Sequence, residues 1–238
     1  MPDRLPALTF FFPAYNEEGN IEAVVAEALA TLPRFADRFE IVIVDDGSRD
    51  RTPELADALA AADHRVRVVH HRPNRGYGGA VRSGLQAARL PFVFFTDGDR
   101  QFRLADLGAL IERIGDVDAV IGYRLKRSDP ARRLAIAWVY KWVLRVVFGA
   151  PFRDVDCAYK LFRTAVFERV PLSRVRSDGA FFSAELLLTL RAAGVRVVQV
   201  GVPHYPRIAG VAAGAAPRVV ARTLRDLVLL RARLWGAR

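Results

Sequence analysis

Short apolar runs alternate with amphipathic stretches through the first hundred residues of the chain. Runs at residues 8–12, 41–44, 66–70 and 92–95 have the length and composition of buried strands. Between them, apolar residues recur at steps of three and four, which predicts helices at about 21–32, 52–62 and 78–89. Strands that alternate with helices are typical of a parallel sheet covered on both faces, so the pattern predicts an α/β fold with a mostly parallel central sheet.

The second half of the chain has a less regular pattern. The segment FRDVDCAYKLF at 152–162 is predicted to be a loop. The other predicted elements are a strand at 119–122, an aromatic-rich helix at about 132–148, a helix at about 181–193, a strand at 195–200 and a last helix at about 217–235. No internal repeat is visible, and 238 residues allow one large domain or one and a half.

Four polar clusters follow the predicted strands of the first half. They are PAYNEE (13–18), DDGS (45–48), NRGYGG (74–79) and TDGDRQ (96–101). In open α/β sheets, ligands bind in the crevice at the carboxyl ends of the strands. Four polar clusters at one sheet edge therefore predict a binding site there.

The cluster TDGDRQ has two competing interpretations. Asp97-Gly98 is a common hairpin turn, but a second strand would have to follow it. Instead, apolar residues recur at helical spacing at Leu104, Leu107, Ile111 and Ile114. We therefore favour a metal site in which Asp97, Asp99 and Gln101 hold a divalent cation such as Mg²⁺ or Mn²⁺, which takes carboxylates, waters and phosphate oxygens as ligands.

A dinucleotide site is the competing interpretation of NRGYGG. Gly76 and Gly78 follow a strand and open a helix, about as in a Rossmann fingerprint. However, Val81 occupies the position of the third glycine, and the motif lies in the third strand–helix unit rather than the first. These departures argue against a dinucleotide site.

Charge is distributed unevenly along the 238 residues. Residues 1–118 carry 14 basic and 19 acidic residues, whereas residues 119–238 carry 22 basic and 7 acidic ones, within a net charge of +10. A basic second half favours phosphate groups or an anionic membrane surface as partners. No helix-turn-helix, RNA-binding or zinc-finger pattern is present, so nucleic acid is not expected.

The sequence also bears on the compartment. Arg or Lys interrupts every apolar stretch before the ~18 residues that a membrane span requires, and the N-terminus lacks a signal-peptide pattern. The single cysteine, Cys157, permits no internal disulfide, which favours a reducing cytoplasm. A cytoplasmic protein that is at most peripheral on the inner face of a membrane is expected.

The ordered set PAYNEE, VDDGSRD, NRGYGGAVRSG and TDGDRQF resembles the family-2 glycosyltransferases, which have the GT-A fold. Within that family, the chain is most similar to the polyprenyl-phosphate sugar transferases of the dolichyl-phosphate mannose synthase type. The resemblance runs from about residue 8 to 210. It implies a nucleotide-sugar donor such as a UDP- or GDP-sugar, a Mg²⁺ or Mn²⁺ ion, and inversion at the anomeric carbon.

The resemblance also implies roles for individual residues. Asp97, Asp99 and Gln101 match the metal motif, and Asp99 is counted among the catalytic residues. The donor-binding residues implied are Pro13, Tyr15 and Glu17 beside the nucleoside, Asp46 on the base or ribose, Gly76, Gly78 and Gly79 beneath the donor, Asp97, and Arg207 as a diphosphate clamp. Relatives often place Ser-Lys shortly after the glycine at 210, but this chain has VAAGA, so one cationic contact is missing or replaced.

The acceptor side leaves two chemistries open. A hydroxyl acceptor needs a carboxylate base, for which Glu185, Asp154 and Asp156 are candidates, although either aspartate could instead pair with Lys160. A polyprenyl phosphate is already ionised and needs cations more than a base; a basic cluster suits it, although the cluster could be an ordinary solvated loop. That cluster consists of Arg124, Arg127, Arg132 and Arg133. A non-catalytic nucleotide-sugar binding protein is the alternative outside enzymes.

Two predicted helices are basic and amphipathic. Residues 132–148 combine Trp138 and Trp142 with Lys141 and Arg145, and the last helix carries several arginines. Such helices suit a membrane surface, although both could simply pack on the sheet. We expect a donor- and metal-binding half at 1–118, an acceptor-binding half at 119–210 and a C-terminal amphipathic helix at 211–238.

Overall fold

The computed structural model describes residues 4–125, 131–206 and 217–235. The strands among them are β1 (Leu5–Ala14), β2 (Ala36–Asp45), β3 (Val66–His70), β4 (Phe92–Phe95), β5 (Ala119–Arg124), β6 (Lys160–Arg163) and β7 (Val197–Val202). The helices are α1 (Ile21–Thr31), α2 (Thr52–Ala62), α3 (Gly76–Ala87), α4 (Gly108–Ile114), α5 (Ala131–Phe148), α6 (Val166–Arg169), α7 (Phe182–Ala192) and α8 (Pro217–Trp235). Short 3₁₀ turns lie at Leu32–Arg34, Leu104–Leu107 and Leu172–Arg174.

The strands form one mixed sheet in the order β3-β2-β1-β4-β6-β5-β7. Every neighbouring pair is parallel except those of β6, which runs antiparallel to β4 and β5. The predicted mostly parallel sheet is confirmed. The prediction of a loop over all of 152–162 is wrong, because β6 begins at Lys160. A four-residue strand is too short to show a period of its own.

Hydrophobic layers cover both faces of the sheet. Phe11 lies in one core layer with Phe95, their rings 5.0 Å apart, and packs with residues of α3, α5 and α7. Phe10 lies in the opposite layer with Phe94, their rings 5.7 Å apart, and packs with residues of α1 and α4. Because β1 is buried on both faces, its sequence is a continuous apolar run instead of an alternating pattern.

The four polar clusters lie side by side at the carboxyl ends of β3, β2, β1 and β4, which are consecutive in the sheet. Backbone bonds continue the ladder there: the amide of Asp46 donates to the carbonyl of Ala14 at 2.9 Å, and the amide of His71 donates to that of Asp45 at 2.9 Å. The predicted convergence of the clusters is therefore confirmed. None of the helices within the described ranges has the length and apolar character to cross a bilayer.

Candidate functional site

A cleft of about 520 Å³ opens at the ends of β2 and β3. We call it the strand-end cleft. Its walls come from the loops after β1, β2 and β3, and they include Tyr15, Asp45, Ser48, Asp50, His71 and Asn74. Tyr15, predicted beside a nucleoside, is 46% exposed at this cleft. The size and polarity of the cleft fit a nucleoside-sized ligand.

Pro13 and Glu17 flank Tyr15 along the chain. Pro13 lies half-buried near the end of β1. The amide of Glu17 donates to Thr52 Oγ1 at 2.9 Å, and its carboxylate accepts from Asn20 Nδ2 at 2.6 Å. Glu17 therefore ties the β1–α1 loop to the start of α2.

The carboxylate of Asp46 is buried beside the strand-end cleft. Its Oδ1 accepts the amide N–H of Arg75 at 2.8 Å and lies 2.6 Å from His71 Nδ1. The backbone carbonyl of Asp46 accepts from Asn74 Nδ2 at 2.6 Å. Asp46 thus joins the end of β2 to the loop that leads into α3. The sequence did not single out His71.

The glycines of NRGYGG have a structural explanation. Gly76 has φ +80°, and a Cβ on it would lie 2.6 Å from the carbonyl oxygen of Asp178. A Cβ on Gly78 would lie 2.6 Å from Cβ of Phe182. Gly76 thus lies against Asp178 in the loop before α7, and Gly78 lies against Phe182 at the start of α7. The close approach of these glycines to a donor stays a prediction. Gly79 lines a second cleft of about 540 Å³, the outer cleft, together with Asn74, Arg75 and Ser83.

Asp97 and Asp99 lie together at the end of β4. Asp97 Oδ1 is buried and has no hydrogen-bond partner within the described residues. Burial and the neighbouring charge of Asp99 raise the pKa of Asp97 to about 7, although hydrogen bonding with Tyr77 opposes the rise. An unpartnered carboxylate oxygen beside a second carboxylate is the environment that a cation relieves. The residues at this position fit a divalent metal.

Gln101 extends this site toward the segment after β7. Its amide N–H donates to Asp99 Oδ1 at 3.1 Å, and its side-chain Nε2 donates to the carbonyl of Tyr205 at 3.3 Å. Across the described ranges, no three His, Cys, Asp or Glu residues gather into a metal-binding group. A cation held by Asp97 and Asp99 would thus keep coordination positions for water and phosphate oxygens.

Of the four arginines predicted to bind a phosphate acceptor, one has a described side chain. Arg124 ends β5 and forms a two-point ion pair with Asp154, with Nε–Oδ2 at 2.6 Å and Nη2–Oδ1 at 2.8 Å. Arg127 and Arg207 lie outside the described residues, and so do the side chains of Arg132 and Arg133 in the first turn of α5. The charge of Arg124 is already matched within the chain.

Lys160 is fully buried at the start of β6, which the sequence did not predict. Its Nζ donates to the carbonyl of Cys157, and it lies 5.5 Å from the centre of the Phe95 ring. Burial lowers the pKa of Lys160, while the nearby charges of Asp156, Asp154 and Asp97 oppose that shift. Asp154 pairs directly with Arg124. The burial of Lys160 could have been predicted from its position inside the apolar stretch CAYKLF.

Glu185 occupies a different environment from the one its predicted role requires. Its carboxylate is fully buried and accepts hydrogen bonds from the amides of Arg176 and Ser177, from the Ser177 hydroxyl and from Arg233. Burial raises the pKa of this carboxyl, but the hydrogen bonds outweigh burial and hold it below its usual value. A carboxylate engaged in this way is poorly placed to collect a substrate proton, which argues against Glu185 among the three candidate bases. Asp156, by contrast, is exposed.

Comparison with known proteins identifies the family. The model of glycosyl transferase family 2 matches residues 9–171, which is more than half of the chain. The chain belongs to this family.

The chain is also similar to individual known proteins. The chain is 34% identical over 203 residues to glycosyltransferase AglD of Haloferax volcanii, covering 82% of this chain but only 32% of that protein. It is 29% identical to polyprenol monophosphomannose synthase of Mycolicibacterium smegmatis, covering 95% and 85% of the two chains. It is 26% identical to dolichyl-phosphate beta-glucosyltransferase of Saccharomyces cerevisiae, covering 94% and 74%. The chain thus spans about a third of the first relative and most of the other two.

Solved structures share the fold. Glucosyl-3-phosphoglycerate synthase from Mycobacterium tuberculosis, in complex with Mn²⁺, UDP-glucose and phosphoglyceric acid, superposes with a TM-score of 0.72 at 18% identity. The match covers 95% of this chain and 80% of that one. The chain therefore has the GT-A fold, as its sequence motifs implied.

Proposed function

We propose that this family-2 glycosyltransferase is metal-dependent and moves a sugar, with inversion, from a nucleotide-sugar donor to a polyprenyl phosphate at a membrane surface. The observation that carries the proposal is the pair Asp97 and Asp99 after β4, at the same sheet edge as the strand-end cleft, with an unpartnered buried oxygen on Asp97. Two of the relatives above are named for transfer to polyprenyl or dolichyl phosphate.

The donor half would bind the two ends of a nucleotide sugar separately. The strand-end cleft takes the nucleoside, with Tyr15 at its mouth and Asp46 beneath it. Asp97 and Asp99 would hold the cation, which when bound neutralises the negative charge that develops on the departing diphosphate. Attack from the face of the sugar opposite the diphosphate inverts the anomeric carbon.

The acceptor side favours a phosphate over a hydroxyl. A hydroxyl needs a carboxylate that is free to take its proton, whereas a phosphate oxygen attacks as an anion. Two of the three candidate bases, Glu185 and Asp154, are engaged by cationic or amide donors. The basic second half of the chain supplies the complementary charge for a phosphate.

Helix α5 supports attachment to a membrane surface. Trp138 and Trp142 are 63% and 46% exposed, and Val146 is 78% exposed on the same side of the helix. Lys141 and Arg145 border this apolar strip, whereas Leu144 is buried in the core. A helix with apolar and basic residues on its open side and a core contact on the other suits peripheral binding to anionic lipid.

A soluble hydroxyl acceptor is the second candidate, and the exposed carboxylate of Asp156 favours it, since this group could serve as a base. A non-catalytic sugar-nucleotide binder is the third. The deciding experiment incubates the protein with Mn²⁺ and UDP- or GDP-sugars, and offers polyprenyl phosphate, the matching polyprenol or phosphoglyceric acid. We expect glycosylation of polyprenyl phosphate alone and none with Asp99→Asn. Turnover only with a hydroxyl acceptor would sink the lipid-phosphate proposal, and donor binding without any turnover would support the non-catalytic alternative.

A further inference from the structure

Two consecutive Asp–His pairs join the ends of β2 and β3. Asp45 lies opposite His70 in the parallel ladder, with His70 Nδ1 2.9 Å from Asp45 Oδ2. One residue further along, His71 Nδ1 lies 2.6 Å from Asp46 Oδ1. The side chain of His70 is 27% exposed, but those of His71 and Asp46 are only 2% and 5% exposed. The second pair is thus an interior contact next to the strand-end cleft.

His71 extends this contact to a third element. Its Nε2 lies 2.8 Å from the hydroxyl oxygen of Ser83 on α3. Because an ionised carboxylate can only accept, the hydrogen atom between His71 and Asp46 belongs to Nδ1. With Nδ1 as the donor to Asp46, the Nε2 atom of a neutral ring would accept the Ser83 hydroxyl. The side chains form one hydrogen-bonded chain from α3 to the end of β2.

The same carboxylate orders the loop before α3. Asp46 Oδ1 accepts the amide of Arg75, its backbone carbonyl accepts from Asn74, and the Asn74 side chain in turn accepts the amide of Gly76 at 3.0 Å. Asn74 and His71 both line the strand-end cleft. The wall of the cleft therefore depends on how Asp46 is held, and His71 is the side chain that holds it.

We propose that His71 is a positioning residue for the nucleoside of the donor: it fixes Asp46 and the 74–76 loop in the arrangement that binds the nucleoside. This inference rests on the proposed function. Pre-organisation of this kind acts on ligand affinity, because a wall that must be ordered during binding weakens the complex. The effect should be confined to the nucleoside end of the donor, since Asp97 and Asp99 lie beyond β1 at the end of β4.

The test is calorimetric binding of UDP, GDP, dTDP and inorganic diphosphate, each with Mg²⁺, to the full chain. We expect His71→Phe to weaken the preferred nucleoside diphosphate about tenfold or more, consistent with the loss of a charge-assisted hydrogen bond. Inorganic diphosphate should bind as it does to wild type. His71→Asn places an amide donor near the position of Nδ1 and should stay within about threefold of wild type. The matched control is His64→Asn, because that side chain is 93% exposed.

Three results would overturn the inference. The first is equal nucleotide affinity in wild type and His71→Phe, and the second is a parallel loss of inorganic diphosphate. If His71→Phe does not fold, the comparison moves to His71→Asn and His71→Gln, whose amide reaches the position of Nε2 instead. Weaker binding in His71→Gln than in His71→Asn supports the role, and equal binding is the third contrary result. Failure of wild type to bind any nucleoside diphosphate would refute the proposed function as well, which separates the two failures.

Discussion

The guanidinium of Arg124 is paired at two points with the carboxylate of Asp154, and each side chain is only 11% exposed. The pair joins the end of β5 to the loop between α5 and β6. A bidentate ion pair between two nearly buried groups fixes the orientation of both side chains. The contact therefore positions this loop, whatever further ligand Arg124 meets.

Breaking this pair from one side should be costly. Arg124→Met leaves the Asp154 carboxylate buried without its guanidinium, which should lower the free energy of unfolding by roughly 3–5 kcal/mol. The double variant Arg124→Met/Asp154→Leu removes both charges and should recover most of that loss. Denaturant unfolding measures both.

The control for this pair is Asp37→Asn, because Asp37 pairs with Arg4 where the side chains are 67% and 50% exposed. That change should cost less than about 1 kcal/mol. A double variant as unstable as Arg124→Met would contradict the argument.

Asp97 should make the stability of the metal-free protein depend on pH. Burial and the charge of Asp99 hold its folded pKa at about 7, above the ordinary 3.8. Between these values the folded state binds more protons than the unfolded state, so its stability falls as pH rises through this window and levels off above it. Unfolding free energies measured from pH 4 to 8 should show this decline in wild type and not in Asp97→Asn.

A bound cation should cancel the same decline. It needs the ionised carboxylate, so saturating Mn²⁺ should stabilise wild type more at pH 8 than at pH 5. Asp97→Asn should gain little at either pH. Equal stabilisation of both proteins by Mn²⁺ would show that the cation binds elsewhere.

The periodicity of hydrophobic residues predicted most of the fold. The strand that it missed, β6, shows the limit of a local sequence pattern. Phe92–Phe95 and Thr52–Ala62 were predicted with correct bounds, because burial on two faces and a helical face leave clear patterns. β6 has only four residues, and its pairing with β4 and β5 joins positions far apart in sequence. A local window contains neither partner.

Some features of the candidate site could likewise be predicted from the sequence, and others could not. The metal motif and the strand-end clusters could be predicted, because topology alone brings strand ends together. The partners of Glu185 could not, because Ser177 and Arg233 reach it from elements that no spacing rule connects. The role of Gly78 was hidden for the same reason, since the atom that excludes a Cβ belongs to Phe182.

Glu185 should behave as a structural carboxylate. Glu185→Ala removes the acceptor for two backbone amides and for Arg233 of α8, which should cost about 3 kcal/mol. For a chain of this size we expect the Tm to fall by roughly 6–12 °C. In protein that remains folded, kcat should change little, whereas loss of a general base would lower it by about 10²–10⁴. The control is Glu112→Ala on the exposed side of α4. A large fall in kcat at unchanged Tm would restore the base assignment.

The exposed side of α5 should contribute to membrane binding but little to the free energy of unfolding. The rings of Trp138 and Trp142 meet edge to face with centroids 6.1 Å apart, and both side chains are exposed at the surface, by 63% and 46%. Replacing both in Trp138→Ser/Trp142→Ser should therefore leave the free energy of unfolding within about 0.5 kcal/mol. The same change removes the aromatic surface available to an acyl boundary, so partition onto anionic vesicles should fall at least about tenfold, or about 1.4 kcal/mol.

Charge should make a separable contribution to that binding. Arg145→Gln keeps the tryptophans and should weaken partition only at low salt, because attraction to anionic lipid is screened within a Debye length of about 8–10 Å. Arg34→Gln/Arg38→Gln is the control, since both arginines are exposed and belong to the turn before β2 and to β2 itself. Vesicle flotation at low and high salt distinguishes the cases. If the tryptophan variant partitions as well as wild type, or if the control loses as much as Arg145→Gln, α5 is not the contact surface, and the net charge of the chain would account for any adsorption that remains.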